Sequence, residues 1–301
     1  MTDPGIMPCT YSVYGLTINL PFPCPPLTLA PDGALPDVIF SEGAVPRALA
    51  APHAQGNMWQ AEPGRFLFRG GNRAGRFLVE NGTRITLERN PAAEDEMLCF
   101  YFLDAVLAAI LRQRGLLVLH ANAAVTPTGA IAVSGESGAG KSTTMAALLQ
   151  HDCAMLSDDI SALRLGNDGQ VQVLPGVPQL HLSEDAAAGL GQNITKLPRQ
   201  QWRRLKAAIP TQSQMATRPG HLRALYLLQT HAGNDLRVHA LTGAGKFAAL
   251  QTCVYGPLLA QEHPGQFPLL AAVADQVAVF RIDRPGPLWT VPDIINVILN
   301  G

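Results

Sequence analysis

Between residues 135 and 143 the chain reads Gly135-Glu136-Ser137-Gly138-Ala139-Gly140-Lys141-Ser142-Thr143, which meets the pattern G-x-x-x-x-G-K-[ST] at each fixed position. An apolar, strand-like run, Ala130-Ile131-Ala132-Val133-Ser134, precedes it, and a helix-compatible run, Thr144 to Leu149, follows. Strand, glycine-rich loop and helix in that order make an anion cradle. The glycines let the loop curl so that backbone N–H groups point inward at phosphate oxygens, and the helix N-terminus adds partial positive charge. In such a cradle Lys141 reaches the terminal phosphates and the Ser142 hydroxyl can ligate Mg²⁺. The spacing therefore predicts an α/β sheet that binds a nucleoside triphosphate through residues 135–143.

The rest of the composition narrows the partners. With 301 residues the chain is long enough for two modest domains, and 47% hydrophobic against 15% charged residues indicates a well-buried globular protein. A formal net charge of -1 argues against a general nucleic-acid or membrane-surface binder. Five scattered cysteines (Cys9, Cys24, Cys99, Cys153, Cys253), with no C-x-x-C pair, suggest neither a disulfide framework nor a zinc site and suit a reducing cytoplasm. The N-terminus has no basic segment, and Pro21, Pro23, Pro25 and Pro26 interrupt its apolar residues, which disfavours a secretory signal. The most apolar segment, Met97 to Leu111, is shorter than the ~20 residues of a spanning helix and contains Asp104.

Residues 1 to about 95 read as a smaller β-rich domain, with short strand-like runs at Tyr11 to Leu20, Asp37 to Ser41, Arg65 to Phe68, Arg76 to Glu80 and Arg84 to Glu88. Asn81-Gly82 between the last two predicts a hairpin. A connecting helix over 96–114 carries Glu94-Asp95-Glu96 at its start and Gly115 at its end. The remainder, 96–301, forms the nucleotide-binding domain. Later elements are a hairpin from Ser161 to Leu174, strands at 222–228 and 277–282, and a closing helix from Asp293 to Leu299.

After Lys141 comes Leu156-Ser157-Asp158-Asp159, with Asp158 seventeen residues on. The helix and turn between allow a right-handed crossover to a parallel strand, and ligand sites in such sheets lie at the strands' carboxyl ends. Asp158 and Asp159 should therefore emerge beside the loop, one able to hold Mg²⁺ and the other to take a proton from an attacking hydroxyl. His120 follows from register. If Thr126 to Gly129 is a four-residue hairpin loop, Val125 pairs with Ala130 and His120 falls opposite Gly135, next to a phosphate or an Asp. A basic stretch, Lys196, Arg199, Arg203, Arg204 and Lys206, reads most simply as a solvated helix face. A sharper reading makes it a clamp on phosphates or an acidic peptide, with Arg204 and Lys206 as its candidates.

Leu119-His120-Ala121, Gly135 to Ser142, and Leu156-Ser157-Asp158-Asp159 together resemble the catalytic domain of HPr kinase/phosphorylase. The likeness is closer to the HPr-kinase-like proteins found beside lasso-peptide and related modified-peptide gene sets. Pro175 to Leu180, Tyr255-Gly256-Pro257-Leu258 and the β-rich N-terminal region look like that branch too. The resemblance implies the phosphoenolpyruvate-carboxykinase/HPr-kinase-like fold, with His120 as activating histidine, Asp158 as base and Asp159 as the metal-side carboxylate. Two departures count against reverse phosphorylase activity and against HPr as substrate. Val173-Leu174-Pro175-Gly176 stands where the family carries Glu-x-Arg-Gly, and Thr143 stands where a Glu often follows Lys-Ser.

Together these features predict an ATP- and Mg-dependent kinase acting on a serine of a peptide or protein, a ribosomal precursor peptide among the candidates. The catalytic residues would be Asp158, His120 and Lys141, and the metal-side residues Ser142 and Asp159. A plain ATPase lacks support from any Leu-Ser-Gly-Gly-Gln signature, and a GTPase from any Asn-Lys-x-Asp segment. A nucleotide sensor without turnover would not need Lys141, Ser142 and the Asp pair together. The acceptor and the oligomeric state, a homo-oligomer included, stay open.

Overall fold

The protein is described by a computed structural model covering residues 9–194, 197, 199–200, 206–255, 266–286 and 288–300. It divides into two compact units, one of Met1–Val118 with Gly256–Pro268, the other of Leu119–Tyr255 with Leu269–Gly301.

The first unit is mostly antiparallel sheet. β1 (Cys9–Val13) and β2 (Leu16–Leu20) form a hairpin, with β3 (Thr28–Leu29) on the far edge of β1. The run from Tyr11 to Leu20 is thus two strands and not one. Tyr14 and Gly15, at φ of 52° and 74°, turn the chain back through left-handed backbone that glycine accepts readily. A six-stranded sheet holds β4 (Ile39–Glu42), β5 (Ala54–Gln55), β6 (Trp59–Glu62), β7 (Arg65–Gly71), β8 (Gly75–Glu80) and β9 (Arg84–Arg89) in the order β4-β9-β8-β7-β6-β5. The β8–β9 hairpin turns at Asn81 and Gly82, both at positive φ, with Glu80 opposite Arg84. Then α1 (Asp95–Tyr101), one wide i→i+5 turn at Phe102–Val106 and α2 (Leu107–Gln113) make a continuous helix. Leu98, Phe102, Val106, Leu107, Ile110 and Leu111 bury fully, and Gly115 ends it at φ 83°.

In the second unit β10 (Leu117–Thr126) and β11 (Gly129–Gly135) pair antiparallel, Val125 facing Ala130 and Ala121 facing Ser134. The register is the expected one, but the ladder runs one pair further, Thr126 facing Gly129, so the loop is the two residues Pro127-Thr128 and not four. α3 (Lys141–Leu149) leads to β12 (Ala154–Ser157), followed by β13 (Ile160–Leu165), β14 (Val171–Val173), β15 (Gln179–Leu182), α4 (Glu184–Gly189), β16 (Arg199–Gln200) and β17 (Lys206–Pro210). The chain continues with β18 (Gly220–His231), β19 (Arg237–Leu241), α5 (Gly243–Cys253), α6 (Gln266–Gln276), β20 (Ala278–Pro285) and α7 (Val291–Asn300).

β18 lies parallel to β11, and β20 parallel to β18. β12 pairs antiparallel with β10, so it runs in the same direction as β11 with β10 between them. The crossover reaches a strand of parallel sense, as the spacing predicts, although the hydrogen-bonded neighbour is β10. Both β12 and β13 pair with β10. β10 and β11 are buried nearly throughout, the mark of a sheet covered on both faces. A core of Met145 and Leu148 from α3, Ala186 and Ala187 from α4, and Ile294 and Ile298 from α7 fixes the helix that follows the glycine-rich loop.

β15, β17 and β16 form a separate three-stranded sheet, Leu180 opposite Ile209 and Arg199 opposite Ala207. The basic stretch is therefore in part strand where a helix face was expected, because Ala207, Ala208 and Ile209 offer β15 an apolar partner. Lys196, Arg203 and Arg204 lie outside the described residues.

Candidate functional site

The loop after β11 is held by its glycines and by one arginine. Gly135 sits at φ 145°, and a Cβ there would lie 2.4 Å from the Leu228 carbonyl oxygen of β18, so the two strands can close only on glycine. Gly140, at φ 107°, caps α3 in left-handed backbone. Between them Ala139 is buried, and its carbonyl accepts from Arg284 Nη1 at 3.2 Å. Arg284 leaves the end of β20 and also donates to Thr290 Oγ1 and the Leu288 carbonyl, each at 3.3 Å. It clamps the back of the loop.

Glu136, Ser137 and Gly138 form the exposed crest. Lys141 opens α3 and folds back, its Nζ donating to the carbonyls of Gly135 at 2.7 Å and Glu136 at 3.3 Å. Burial pushes the ammonium below the ordinary lysine value, while Asp159 and then Asp158 hold it up and Lys206 pushes it further down. The first N–H groups of α3 have no partner within the helix, as at any helix start.

Asp158 and Asp159 occupy the break between β12 and β13. Ile160 N donates to the Asp158 carbonyl at 2.7 Å, and Asp159 takes φ 62°, a left-handed value that Asp tolerates better than most side chains. The two carboxylates have different surroundings. Asp158 is 8% exposed, and both of its oxygens are engaged: Oδ1 accepts from Asn122 Nδ2 at 2.5 Å, while Oδ2 accepts from the His181 backbone N–H at 2.9 Å and bonds His181 Nδ1 at 3.0 Å. Asn122, fully buried in β10, turns its Oδ1 to the Asp159 N–H at 3.3 Å and so holds both aspartates. Ser157 and Ser161 tie the same break to β10, Ser161 Oγ donating to the Ala121 carbonyl at 2.8 Å.

A cavity of about 490 Å³ joins these parts, lined by His120, Lys141, Ser142, Asp159, His181 and Lys206 together with Ser137, Gly138, Gly140, Thr143, Leu182 and Ser183. His120 thus stands in the same space as the loop. Its carbonyl takes the Ser134 hydroxyl at 2.8 Å, and its ring lies 6.1 Å from that of Tyr255. Ligand atoms of Asp158, Asp159 and His181 come within 4.8 Å of one another. Asp158 and His181 Nδ1 bond each other, and of the two aspartates Asp159 is the one that lines the cavity. Ser142 lines the same cavity, and hydroxyl and carboxylate oxygens are the kind of hard donor that suits Mg²⁺.

Of the residues singled out from sequence, His120, Ser137, Gly138, Gly140, Lys141, Ser142, Thr143 and Asp159 line the cavity. Gly135 and Ala139 form the back of the loop, Glu136 its exposed crest, and Asp158 meets Asn122 and His181. The sequence reading passed over Asn122, His181 and Arg284. For Asn122 a signal existed, since an amide inside the apolar run Leu117 to Val125 must find buried partners. For His181 and Arg284 none did, because neither interrupts an apolar run and the contacts that tie them to the site, to Asp158 and to Ala139, form across 23 and 145 residues.

No protein-family model matches the chain, and no curated protein does. Among solved structures the chain is similar to the Hpr(Ser) kinase/phosphatase from Coxiella burnetii, at a TM-score of 0.35 and 14% identity, over 61% of this chain and 88% of that one.

Proposed function

We propose that this chain is an ATP- and Mg-dependent kinase that transfers the γ-phosphoryl group to a serine hydroxyl of a peptide or protein, with a ribosomal precursor peptide as the first candidate. The observation that carries the proposal is one cavity lined by Lys141 and Ser142 at a helix start together with Asp159 and, within 4.8 Å of it, His181. Phosphoryl transfer asks a protein mainly for positioning and charge neutralisation, and this set supplies both.

In this reading residues 135–143 are a P-loop. Backbone N–H groups of the loop and of the first turn of α3 bind the phosphates. Lys141 exchanges its two carbonyl partners for phosphate oxygens, and Lys206 adds a second positive charge on the same cavity. Ser142 and Asp159 would hold Mg²⁺, which when bound neutralises charge on the transferring group. His120 lines the same cavity, where it would orient phosphate or acceptor.

Incubation with labelled ATP, Mg²⁺ and serine-containing peptides tests the proposal. Label on peptide serine, lost in Lys141→Ala, supports it. Release of free phosphate with no labelled peptide would make the protein an ATPase, and binding without turnover would make it a sensor.

A further inference from the structure

We infer that His181, oriented by Asp158, is the catalytic residue that receives the acceptor hydroxyl's proton. The inference deepens the phosphotransfer reading and rests on it.

Its basis is the hydrogen bonding of Asp158. A carboxylate can only accept, so the contact at 3.0 Å requires the ring proton of His181 to sit on Nδ1. The neutral ring then carries its lone pair on Nε2. The same oxygen also receives the His181 backbone N–H at 2.9 Å, so one carboxylate pins both the main chain and the ring of this residue. On its other side Asp158 is held by the fully buried Asn122. With both oxygens so engaged, and a side chain only 2% exposed, Asp158 is poorly placed to meet an acceptor itself. His181 lines the cavity with Lys141, Ser142 and Asp159. The ring is held at a fixed angle by a buried carboxylate able to compensate the charge of an imidazolium, in a residue that borders the cavity.

The step balances. The serine O–H bond breaks and its proton passes to His181 Nε2 while the serine oxygen bonds to the γ-phosphorus. The bond from that phosphorus to the bridging oxygen breaks, and its electron pair leaves on ADP. His181, now an imidazolium beside the unprotonated Asp158, returns its proton to solvent. Asp158 is a positioning residue here.

The test compares wild type, His181→Ala, His181→Gln and Lys141→Ala in peptide phosphorylation, with ADP affinity measured separately by calorimetry. We expect His181→Ala and His181→Gln to lose on the order of 10²–10⁴-fold in kcat with ADP affinity nearly unchanged. Added imidazole should restore part of the His181→Ala rate, which no merely structural role would produce. His181→Gln keeps a donor toward Asp158, so its equal loss would separate the ring's chemistry from its packing. The inference is overturned if His181→Ala transfers at near wild-type rate while Lys141→Ala is dead, an outcome that leaves the kinase reading standing. It is also overturned if raised Mg²⁺, and not imidazole, restores the rate. Wild-type protein that hydrolyses ATP but labels no peptide would sink the kinase reading, and the inference with it.

Discussion

Asp158→Asn is the sharpest perturbation the site offers, because the replacement has nearly the same shape and differs by one NH₂ for one oxygen. In the wild type Asp158 accepts from three N–H groups, those of Asn122, the His181 backbone and the His181 ring. If the new amide keeps its oxygen toward His181, its NH₂ meets the Asn122 NH₂. Flipping Asn122 to accept then turns that NH₂ onto the Asp159 N–H, which Asn122 Oδ1 now satisfies. If the amide turns the other way, the His181 ring can change tautomer, but its backbone N–H still faces a donor. Every arrangement leaves at least one buried N–H without an acceptor, at about 1–3 kcal/mol, and the surviving bonds lose their charge assistance. A total of about 2–4 kcal/mol is expected. Urea unfolding of both proteins, compared at equal m-value, measures it. A change below about 0.5 kcal/mol, in the range of ordinary surface substitutions, would refute the claim that Asp158 is saturated by buried donors.

Other outcomes follow from the same geometry. Lys141→Met should abolish nucleotide binding in calorimetry yet leave Tm equal to or above wild type, since burial disfavours the ammonium. The sign for pH runs with it. Lys141 is depressed below its ordinary 10.5 in the folded protein, so the unfolded chain binds more protons between the two values and stability rises with pH across that window. Unfolding measured toward pH 10.5 should show that rise in wild type and a flatter profile in Lys141→Met. Gly135→Ala, whose Cβ would meet the Leu228 carbonyl at 2.4 Å in backbone of φ 145°, should cost about 1–3 kcal/mol in chemical denaturation and lose ATP affinity. Asp159→Asn should keep the fold, because Asn tolerates the left-handed φ of 62°, while raising the Mg²⁺ concentration for half-maximal activity by about 10-fold or more.

Local geometry was legible in the sequence wherever a short turn or a fixed spacing sets it. The tight turn between Thr126 and Gly129 dictates the β10–β11 register, and that register carries His120 to the cavity. The spacing from Lys141 to Asp159 likewise brings a carboxylate into the cavity. What could not be read depends on strands meeting across long separations. β12 pairs with β10, and β17 completes a small sheet with β15, through apolar faces that any several strands could share. His181 belongs to this second kind. In Gln179-Leu180-His181-Leu182 it reads as one more half-buried strand residue, and only the docking of β15 beside the β12–β13 break reveals its partner.

That docking has a consequence for how the molecule can change. Asp158, on the large sheet, grips the main chain and the ring of a residue on the small one. The same carboxylate therefore acts as a rivet between two layers and as the setting for a reactive group. Drift at this position would be punished twice, once in assembly and once in turnover, so a lineage that abandons the chemistry would still be pressed to keep the acid.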